Sequence, residues 1–259
     1  MIVNRAVDGI QDHVVPVFRA DSDFNSLDHE GSGVLIDFHG RRFLVSAGHA
    51  MRACRDGFAI PDDTGQFIWP ESPLVLSTPP QGRNDDFLDL GVVELTSREA
   101  SGFRTERFLD LRPDSLTPTR AWVAPIVVVL GFSVGDTAAD AVTSQISGEL
   151  TQFGTGFLEP ENYKRARVDP RYHLLLRLRR ESIMTARSVG APPSWRGLSG
   201  AGTWVIPVDE EHQADRPAFA GVLLGRPAHL KKALQVTRVE AVYHFIRLHG
   251  PSRHGFSGP

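Results

Sequence analysis

The amino-acid sequence predicts an all-β fold that ends in a single α-helix. Short apolar runs rich in β-branched residues recur along the 259 residues, and 18 prolines and 24 glycines separate them. Regular short strands divided by turn residues favour a β-sandwich or a pair of β-barrels over alternating βαβ units. Only near the C-terminus does the apolar spacing change to every third or fourth residue, which is typical of an amphipathic helix.

The first series of predicted strands lies in the N-terminal part of the chain. Its apolar runs have strand length and β-branched content at residues 14–18, 33–38, 42–46 and 90–95. Residues 38–41, Phe-His-Gly-Arg, lie between the second and third runs and predict a hairpin turn. Residues 60–83 are rich in proline, aspartate and glycine, which indicates a long excursion over the surface.

A second series of strands follows a polar segment, residues 100–120, which we expect to connect two halves of the chain. The series opens with an apolar run at residues 122–130, and we expect residues 131–136 to break it. Further runs with the same pattern lie at residues 147–153, 172–178, 202–208 and 219–224.

The predicted helix rests on five apolar residues that are spaced for one helix face: Val236, Val239, Val242, Tyr243 and Ile246. The pair Gly250-Pro251 is expected to end this helix. The last eight residues, 252–259, are expected to fray.

Composition and charge exclude several classes of function. A formal net charge of −3 gives no electrostatic case for binding nucleic acid or an anionic membrane. The single cysteine, Cys54, allows no intrachain disulfide, and we expect it to be a small buried apolar residue in a cytoplasmic protein. We find no secretory signal and no apolar run long enough to span a membrane. No metal-ligand spacing and no nucleotide-binding glycine loop are present, so we predict no metal and no cofactor.

Three short segments carry the residues of a nucleophilic site. They read Ser46-Ala-Gly-His-Ala50, Asp86-Phe-Leu-Asp-Leu-Gly91 and Gly197-Leu-Ser-Gly-Ala-Gly202. A serine hydroxyl becomes a useful nucleophile when an imidazole takes its proton and a carboxylate orients that imidazole. We therefore predict a catalytic triad of His49, Asp89 and Ser199. Asp85 and Asp86 compete for the middle place, and Asp89 is preferred because it directly precedes an apolar strand.

These segments resemble the chymotrypsin-like (trypsin-like) serine peptidase family, especially its disulfide-free bacterial members. Residues 31–36 with 43–49 are similar to the hairpin that leads into the histidine, and residues 197–202 are similar to the loop that carries the serine. The resemblance implies two antiparallel β-barrels with a C-terminal helix. Its expected divisions are a barrel with His and Asp, a barrel with Ser, a helix and a flexible tail, at residues 1–110, 111–234, 235–250 and 251–259.

The resemblance also implies roles for further residues. Backbone N–H groups of Gly197 and Ser199 would form an oxyanion hole. Pro193, Leu223 and Gly225 would contact the substrate, a protein or peptide. Pro193 supplies no acid at the position that selects basic side chains in trypsin, so cleavage after Arg or Lys is not favoured, and small or apolar side chains are weakly preferred.

Two leucines depart from the family pattern. Leu198 replaces an aspartate that pairs with a new N-terminus in members activated by cleavage, so that activation route is not expected. Leu223 is expected to replace a serine that supports the triad aspartate, which then needs another partner. Ala201 stands where a second glycine is usual and is expected to tighten the packing behind the loop.

Three other interpretations stay open. The leucines favour a catalytically silent fold that binds a partner protein in the same cleft. Residues 197–201 also suit the nucleophile turn of an esterase loosely, because histidines follow Ser199. The basic stretch at residues 164–180 suits an acidic partner, although the alternating residues 174–180 more simply predict a strand with one solvated arginine face. For a cytoplasmic peptidase without a processing site, we also expect regulation by a partner protein.

Overall fold

The computed structural model describes residues 7–20, 26–78, 87–112, 125–140, 145–178, 183–184, 195–207 and 217–249. In this part of the chain the β-strands form two sheets, one of eight and one of seven strands. The short helices lie between strands, and the longest helix follows the last strand. The predicted all-β class with a C-terminal helix is confirmed.

The first sheet contains β1 to β8. These are Val14–Ala20, Leu27–Phe38, Arg41–Ala47, Phe58–Pro61, Phe67–Ile68, Val75–Leu76, Leu90–Glu94 and Leu109–Asp110. The hydrogen-bonded order is β5-β4-β1-β2-β3-β7-β6, and β8 pairs with β2 as a short parallel strand. Antiparallel pairing of β2, β3 and β7 brings the ends of β3 and β7 together, with Ala47 opposite Leu90.

The second sheet contains β9 to β15. These are Ile126–Asp140, Gln145–Thr155, His173–Arg177, Ile183–Met184, Gly202–Ile206, Ala218–Gly225 and Ala233–Arg238. The order is β11-β15-β14-β13-β9-β10-β12, with antiparallel neighbours throughout. Within the described ranges the hydrogen-bonded path of each sheet stays open, so each predicted barrel is present as an open sheet.

Four α-helices are present in the described ranges: α1 at Gly48–Ala53, α2 at Ser97–Ala100, α3 at Glu161–Ala166 and α4 at Val239–His249. Helix α2 begins with a capping box, in which the Thr96 hydroxyl accepts from the Glu99 N–H and the Glu99 carboxylate accepts from the Thr96 N–H. None of the helices in these ranges has the length and apolarity to cross a bilayer.

The predicted hairpin turn between β2 and β3 is confirmed. His39 and Gly40 at its centre have φ values of 55° and 78°. Two successive residues with positive φ match the twist of the flanking strands, and Gly40 takes that conformation without steric cost. The surface excursion after residue 60 contains β5 and β6, two short strands that its composition did not predict.

Two strand and helix predictions differ from the structure. Residues 131–136 do not end the strand, because β9 continues to Asp140. They do interrupt its pairing with β10, since Gly148 pairs with Thr137 and Leu150 with Phe132, so the register skips residues 133–136. Val236 belongs to β15, and the helix begins only at Val239. The predicted tail lies outside the described residues.

The two sheets share a core. Val34 and Ile36 of β2 join Leu130 of β9 and Trp204 of β13 in one buried cluster. Helix α4 closes it, since Val242 and Ile246 belong to the same cluster and the Tyr243 ring lies 5.1 Å from that of Phe38. The apolar face of α4 therefore packs against residues of both sheets. Each sheet also has a cluster of its own.

Candidate active site

The histidine and the aspartate of the predicted site come from neighbouring strands of the first sheet. His49 lies in the first turn of α1, directly after β3, and Asp89 directly precedes β7. Because β3 and β7 pair, the backbone N–H of Gly48 donates to the Asp89 carbonyl at 2.6 Å. The His49 Nδ1 and Asp89 Oδ2 atoms lie 2.5 Å apart.

Ser199 comes from the second sheet, in the turn that precedes β13. Its Oγ lies 2.8 Å from His49 Nε2, although the two residues are 150 positions apart in the sequence. The same hydroxyl lies 3.3 Å from the Leu224 carbonyl oxygen on β14. The structure therefore brings His49, Asp89 and Ser199 into one hydrogen-bonded row between the sheets.

The protons in this row follow from its chemistry. A carboxylate can only accept, so the proton of the neutral imidazole lies on Nδ1, facing Asp89. Nε2 is then an acceptor facing the Ser199 hydroxyl, which donates better to it than to the more distant Leu224 carbonyl. This arrangement is the one that lets an imidazole remove a serine proton.

The second carboxylate oxygen of Asp89 has a cationic partner. Arg52, one turn after His49 on α1, donates from Nη2 to Asp89 Oδ1 at 2.7 Å. The Asp89 side chain is 16% exposed and that of Arg52 is 42% exposed. Arg52 is thus the additional partner that Asp89 was expected to need, and it holds the carboxylate oxygen that does not face His49.

The residues around Ser199 form a turn that we term the serine loop, residues 197–201. Gly197 and Gly200 have φ values of 87° and 89°, a region that favours glycine. Among the described residues, the backbone N–H groups of Gly197 and Ser199 donate to no other protein group. Two free donors beside a serine hydroxyl are what an oxyanion hole requires.

Residues 29–32 of β2 hold the serine loop from the first sheet, and we term them the seat. The Ser32 N–H donates to the Ser199 carbonyl at 2.8 Å, and the Ser32 hydroxyl donates to the Gly197 carbonyl at 2.7 Å. Ser32 is completely buried, and its own carbonyl accepts from the Ser46 hydroxyl at 2.6 Å. The loop is therefore fixed by bonds that cross between the two sheets.

Packing against the seat leaves no space for a side chain at Gly197 or Gly200 of the serine loop. A Cβ at Gly200 would lie 1.9 Å from the Ser32 carbonyl oxygen, and one at Gly197 would lie 2.5 Å from Cε1 of His29. His29 is buried, and its Nε2 hydrogen bonds to the Gly31 carbonyl at 2.8 Å. Burial lowers the pKa of His29 to about 4, against the opposing effect of that hydrogen bond. The ring is therefore neutral at pH 7.

The leucines and alanine that depart from the family pattern are buried. Leu198 is 1% exposed and Ala201 is fully buried, both in the core cluster of the second sheet. Leu198 therefore contributes packing behind the loop. The Ala201 Cβ packs closely against Gly131 of β9. A Cβ added at Gly131 would lie only 2.6 Å from it, so the packing behind the loop is tight.

A cavity of about 940 Å³ opens beside His49. Gly225 lines it, as expected of a substrate contact, and so does Leu224. The expectation for Leu223 is corrected, because its side chain is 1% exposed and packs into the core of the second sheet. The alternation of side chains along β14 turns Leu224 to the cavity instead. Pro193 lies outside the described residues.

Cys54 and the possible metal ligands are the other candidates for reactive chemistry in this part of the chain. Cys54 is buried, and burial raises the pKa of its thiol to about 12, so it remains a neutral apolar residue. In the described ranges, no three histidine, cysteine, aspartate or glutamate side chains are grouped closely enough to hold a metal ion.

Comparison with known proteins supports the architecture. The serine endoprotease of Yersinia pestis has a similar structure, with a TM-score of 0.52 over 95% of this chain at 13% sequence identity. This chain has the chymotrypsin-like serine peptidase fold. It spans 65% of the length of that endoprotease. The Rv3671c protease of M. tuberculosis, in its active form, aligns with a TM-score of 0.46 at 14% identity, over 99% of this chain and 89% of its own.

No protein-family model and no curated protein sequence match the chain. The peptidase fold is thus reached with sequence identities too low to carry over the roles of individual residues.

Sequence reasoning missed four residues that shape the site: His29, Ser32, Arg52 and Leu224. Arg52 carried a signal, since i and i+3 positions of a helix share a face and the helix begins at Gly48. Ser32 and His29 carried none, because their contacts are with residues more than 160 positions away.

Proposed function

We propose that the chain is a serine endopeptidase that hydrolyses peptide bonds in proteins through an acyl-enzyme. The observation that carries the proposal is the hydrogen-bonded row of Asp89, His49 and Ser199, with separations of 2.5 and 2.8 Å. The fold shared with the Yersinia serine endoprotease supports it.

The proposed reaction has two halves. The Ser199 Oγ attacks the scissile carbonyl carbon while His49 Nε2 takes the hydroxyl proton, and the carbonyl oxygen becomes an oxyanion near the N–H groups of Gly197 and Ser199. His49 then returns the proton to the leaving amine as the C–N bond breaks. A water molecule, deprotonated by His49, attacks the acyl-enzyme and releases the new carboxylic acid and Ser199.

Asp89 is assigned to orient His49 and to stabilise its imidazolium form. Arg52 is assigned to hold the second oxygen of that carboxylate, so that Oδ2 faces Nδ1. Removing a donor of an oxyanion hole costs about 3–4 kcal/mol of transition-state stabilisation in other enzymes, so the shape of the serine loop is expected to decide the rate. Regulation by a partner protein and a cytoplasmic location remain predictions.

A fluorophosphonate tests the proposal, because it forms a covalent bond only with an activated serine. Intact mass spectrometry of the treated wild type is expected to show one adduct. Ser199→Ala and His49→Ala are expected to remain unlabelled. The matched control is Ser101→Ala, at an exposed serine that makes one surface hydrogen bond. Incubation of an unfolded protein with the wild type is expected to yield internal cleavage products that Ser199→Ala does not produce.

The alternatives give different results. An unlabelled wild type with native circular dichroism contradicts the peptidase proposal and favours a silent fold that binds a partner. Labelling at Ser199 with hydrolysis of esters but of no peptide bond favours the esterase.

A further inference from the structure

The cavity beside His49 has walls from three segments. One wall is Phe87, whose ring lies 4.7 Å from that of Tyr172. The second is the chain from Ala166 to His173, which follows α3, and the third is the chain from Leu224 to His229, which ends β14. A cavity of about 940 Å³ is large enough to receive several side chains of a peptide.

The carboxylates in this cavity are already paired. Asp89 binds Arg52 as well as His49. Asp169 binds Arg171 through both oxygens at distances of 2.7 to 3.1 Å, and this partner lowers the pKa of Asp169 to about 2. Neither carboxylate therefore offers an unpaired charge to a positively charged ligand.

Two arginines of the cavity lack such a partner. Arg167 and Arg226 are exposed, line the cavity, and form no ion pair with any described carboxylate. The whole chain carries a net charge of −3, whereas these two cavity arginines have no ion-pair partner among the described residues. A cleft concentrates the field of such charges.

Arg226 contacts Trp195 and stands close in sequence to a residue that touches Ser199. Its guanidinium carbon lies 4.9 Å from the ring centroid of Trp195, a cation–π contact that orients the side chain. Trp195 stands two residues before the serine loop, and its ring packs edge-on against Phe153 at 5.9 Å. Arg226 stands two residues after Leu224, whose carbonyl oxygen lies 3.3 Å from the Ser199 hydroxyl.

Arg167 is held at the opposite wall by backbone geometry. It caps α3 with a φ of 56°, and its N–H donates to the carbonyls of Tyr163 and Lys164. The Tyr163 hydroxyl in turn accepts from the Leu175 N–H at 3.1 Å, which ties α3 to β11. Arg167 and Arg226, which form no ion pair with a described carboxylate, therefore line one cavity from separate segments.

We propose that this cavity selects peptides with acidic side chains close to the scissile bond, with Arg226 and Arg167 as the residues that bind those carboxylates. Planar guanidinium groups bind carboxylates through paired hydrogen bonds, and Arg226 keeps an edge available while its face rests on Trp195. The inference rests on the proposed endopeptidase function, whose substrate class it specifies.

Equilibrium binding to Ser199→Ala tests the proposal without turnover. The probes are three fluorescein-labelled peptides with the same alanine-rich sequence, carrying three aspartates, three asparagines or three lysines. At low ionic strength the aspartate peptide is expected to bind ~10-fold more tightly than the asparagine peptide by fluorescence anisotropy, with the difference shrinking as salt is added.

Charge reversal identifies the residues responsible. Arg226→Glu and Arg167→Glu, each combined with Ser199→Ala, are expected to weaken binding of the aspartate peptide ~5–10-fold and to leave the asparagine peptide unchanged. Arg226→Gln separates the loss of charge from the introduction of a repulsive one. Arg98→Glu is the matched control, since Arg98 is exposed on α2 and does not line the cavity.

Two results overturn the inference. One is an aspartate peptide that binds no more tightly than the asparagine peptide, including the case where neither binds. The other is a preference that Arg98→Glu reduces as much as Arg226→Glu and Arg167→Glu do. Fluorophosphonate labelling of the wild type reports the proposed function separately, so an active peptidase without acidic preference is distinguished from an inactive fold.

Discussion

The two sides of the site are held in different ways. His49 and Asp89 are fixed within one sheet, where paired strands bring Gly48 against Asp89 and α1 places Arg52 on the second carboxylate oxygen. The serine loop belongs to the second sheet, yet its carbonyls at Gly197 and Ser199 accept hydrogen bonds from the seat in the first.

In the proposed mechanism, the residues that orient the base, His49, are therefore different from those that position the nucleophile, Ser199. Disturbing the seat should move Ser199 away from a His49 that stays correctly oriented. Disturbing α1 should change the basicity of His49 and leave Ser199 where it is. The serine side is the more vulnerable, because its contacts cross between sheets and involve completely buried groups.

Gly200→Ala is expected to have the largest effect on stability and labelling, because it disrupts the packing of the serine loop against the seat. The new Cβ would lie 1.9 Å from the Ser32 carbonyl oxygen and 2.2 Å from the Ser46 hydroxyl, at a φ of 89°. Backbone must move to relieve this, so we expect a loss of at least ~3 kcal/mol in the free energy of unfolding. The rate of fluorophosphonate labelling should fall by ~100-fold or more, because Ser199 adjoins the displaced residue.

The matched control is Gly154→Ala in β10, where a Cβ meets no atom within 4 Å. Urea unfolding and the labelling rate should both stay near the wild-type values. A Gly200→Ala protein that labels at the wild-type rate would show that the seat does not constrain the loop.

A fall in pH is expected to destabilise the packing between the seat and the serine loop, because His29 of the seat becomes protonated. We expect an effect of intermediate size on the free energy of unfolding. The folded pKa of His29 is about 4, below the ordinary value near 6.5, because burial disfavours the charged ring. Between these values the unfolded chain binds a proton that the folded chain does not, so stability falls as pH drops from about 6.5 to 4. The His29 contribution to that fall is roughly 3 kcal/mol.

Urea unfolding at pH 7 and pH 4 measures this contribution. His29→Gln should flatten the pH dependence of the unfolding free energy, whatever its stability at pH 7. The exposed His244→Gln is the control and should leave the slope unchanged. His173, whose pKa burial also lowers, should preserve a residual slope in both variants. An unchanged slope in His29→Gln would contradict the assignment.

Arg52→Met is expected to have the smallest effect. It tests the contribution of α1 to His49 and Asp89, the residues that the first sheet holds. Removing a cation 2.7 Å from Asp89 favours the protonated form of His49, which cannot act as a base. The pH at which kcat/KM falls to half should therefore rise by about half a unit, a modest shift because Arg52 is partly exposed and solvent screens it.

Arg55→Met, at a more exposed arginine in the turn after α1, is the control for general loss of charge. Its pH profile should match that of the wild type. An Arg52→Met profile that changes in height without moving along the pH axis would assign Arg52 a purely structural role.

Much of this fold could be predicted because its signals are local. The apolar runs of β1, β3 and β7 and the Phe-His-Gly-Arg turn depend on neighbouring residues and were found at nearly the right bounds. Long β9 was harder, since a glycine within a strand weakens its pattern and only the pairing with β10 shows that the strand continues. The start of α4 was misplaced because Val236 fits a strand and a helix equally well.

In the site, too, the residues with local sequence signals were predicted and those that depend on distant contacts were not. His49, Asp89 and Ser199 were predicted because their segments carry distinctive sequences, and the structure places them together. Ser32 was not predicted as a support of the serine loop, because a buried serine has no sequence signature and its partner is 165 positions away. Leu223 was assigned to the substrate because a one-residue error in register turns a strand side chain to the opposite face.

The distance along the chain between the seat and the serine loop also sets an order in time. Residues 29–32 are synthesised 165 positions before Gly197, which Ser32 binds. A growing chain therefore holds its base and carboxylate long before it has a nucleophile, and the last contacts of the site must wait for the two halves to dock. Under the proposed function, cleavage by this chain therefore has to wait until its second half has been synthesised and has docked on the first.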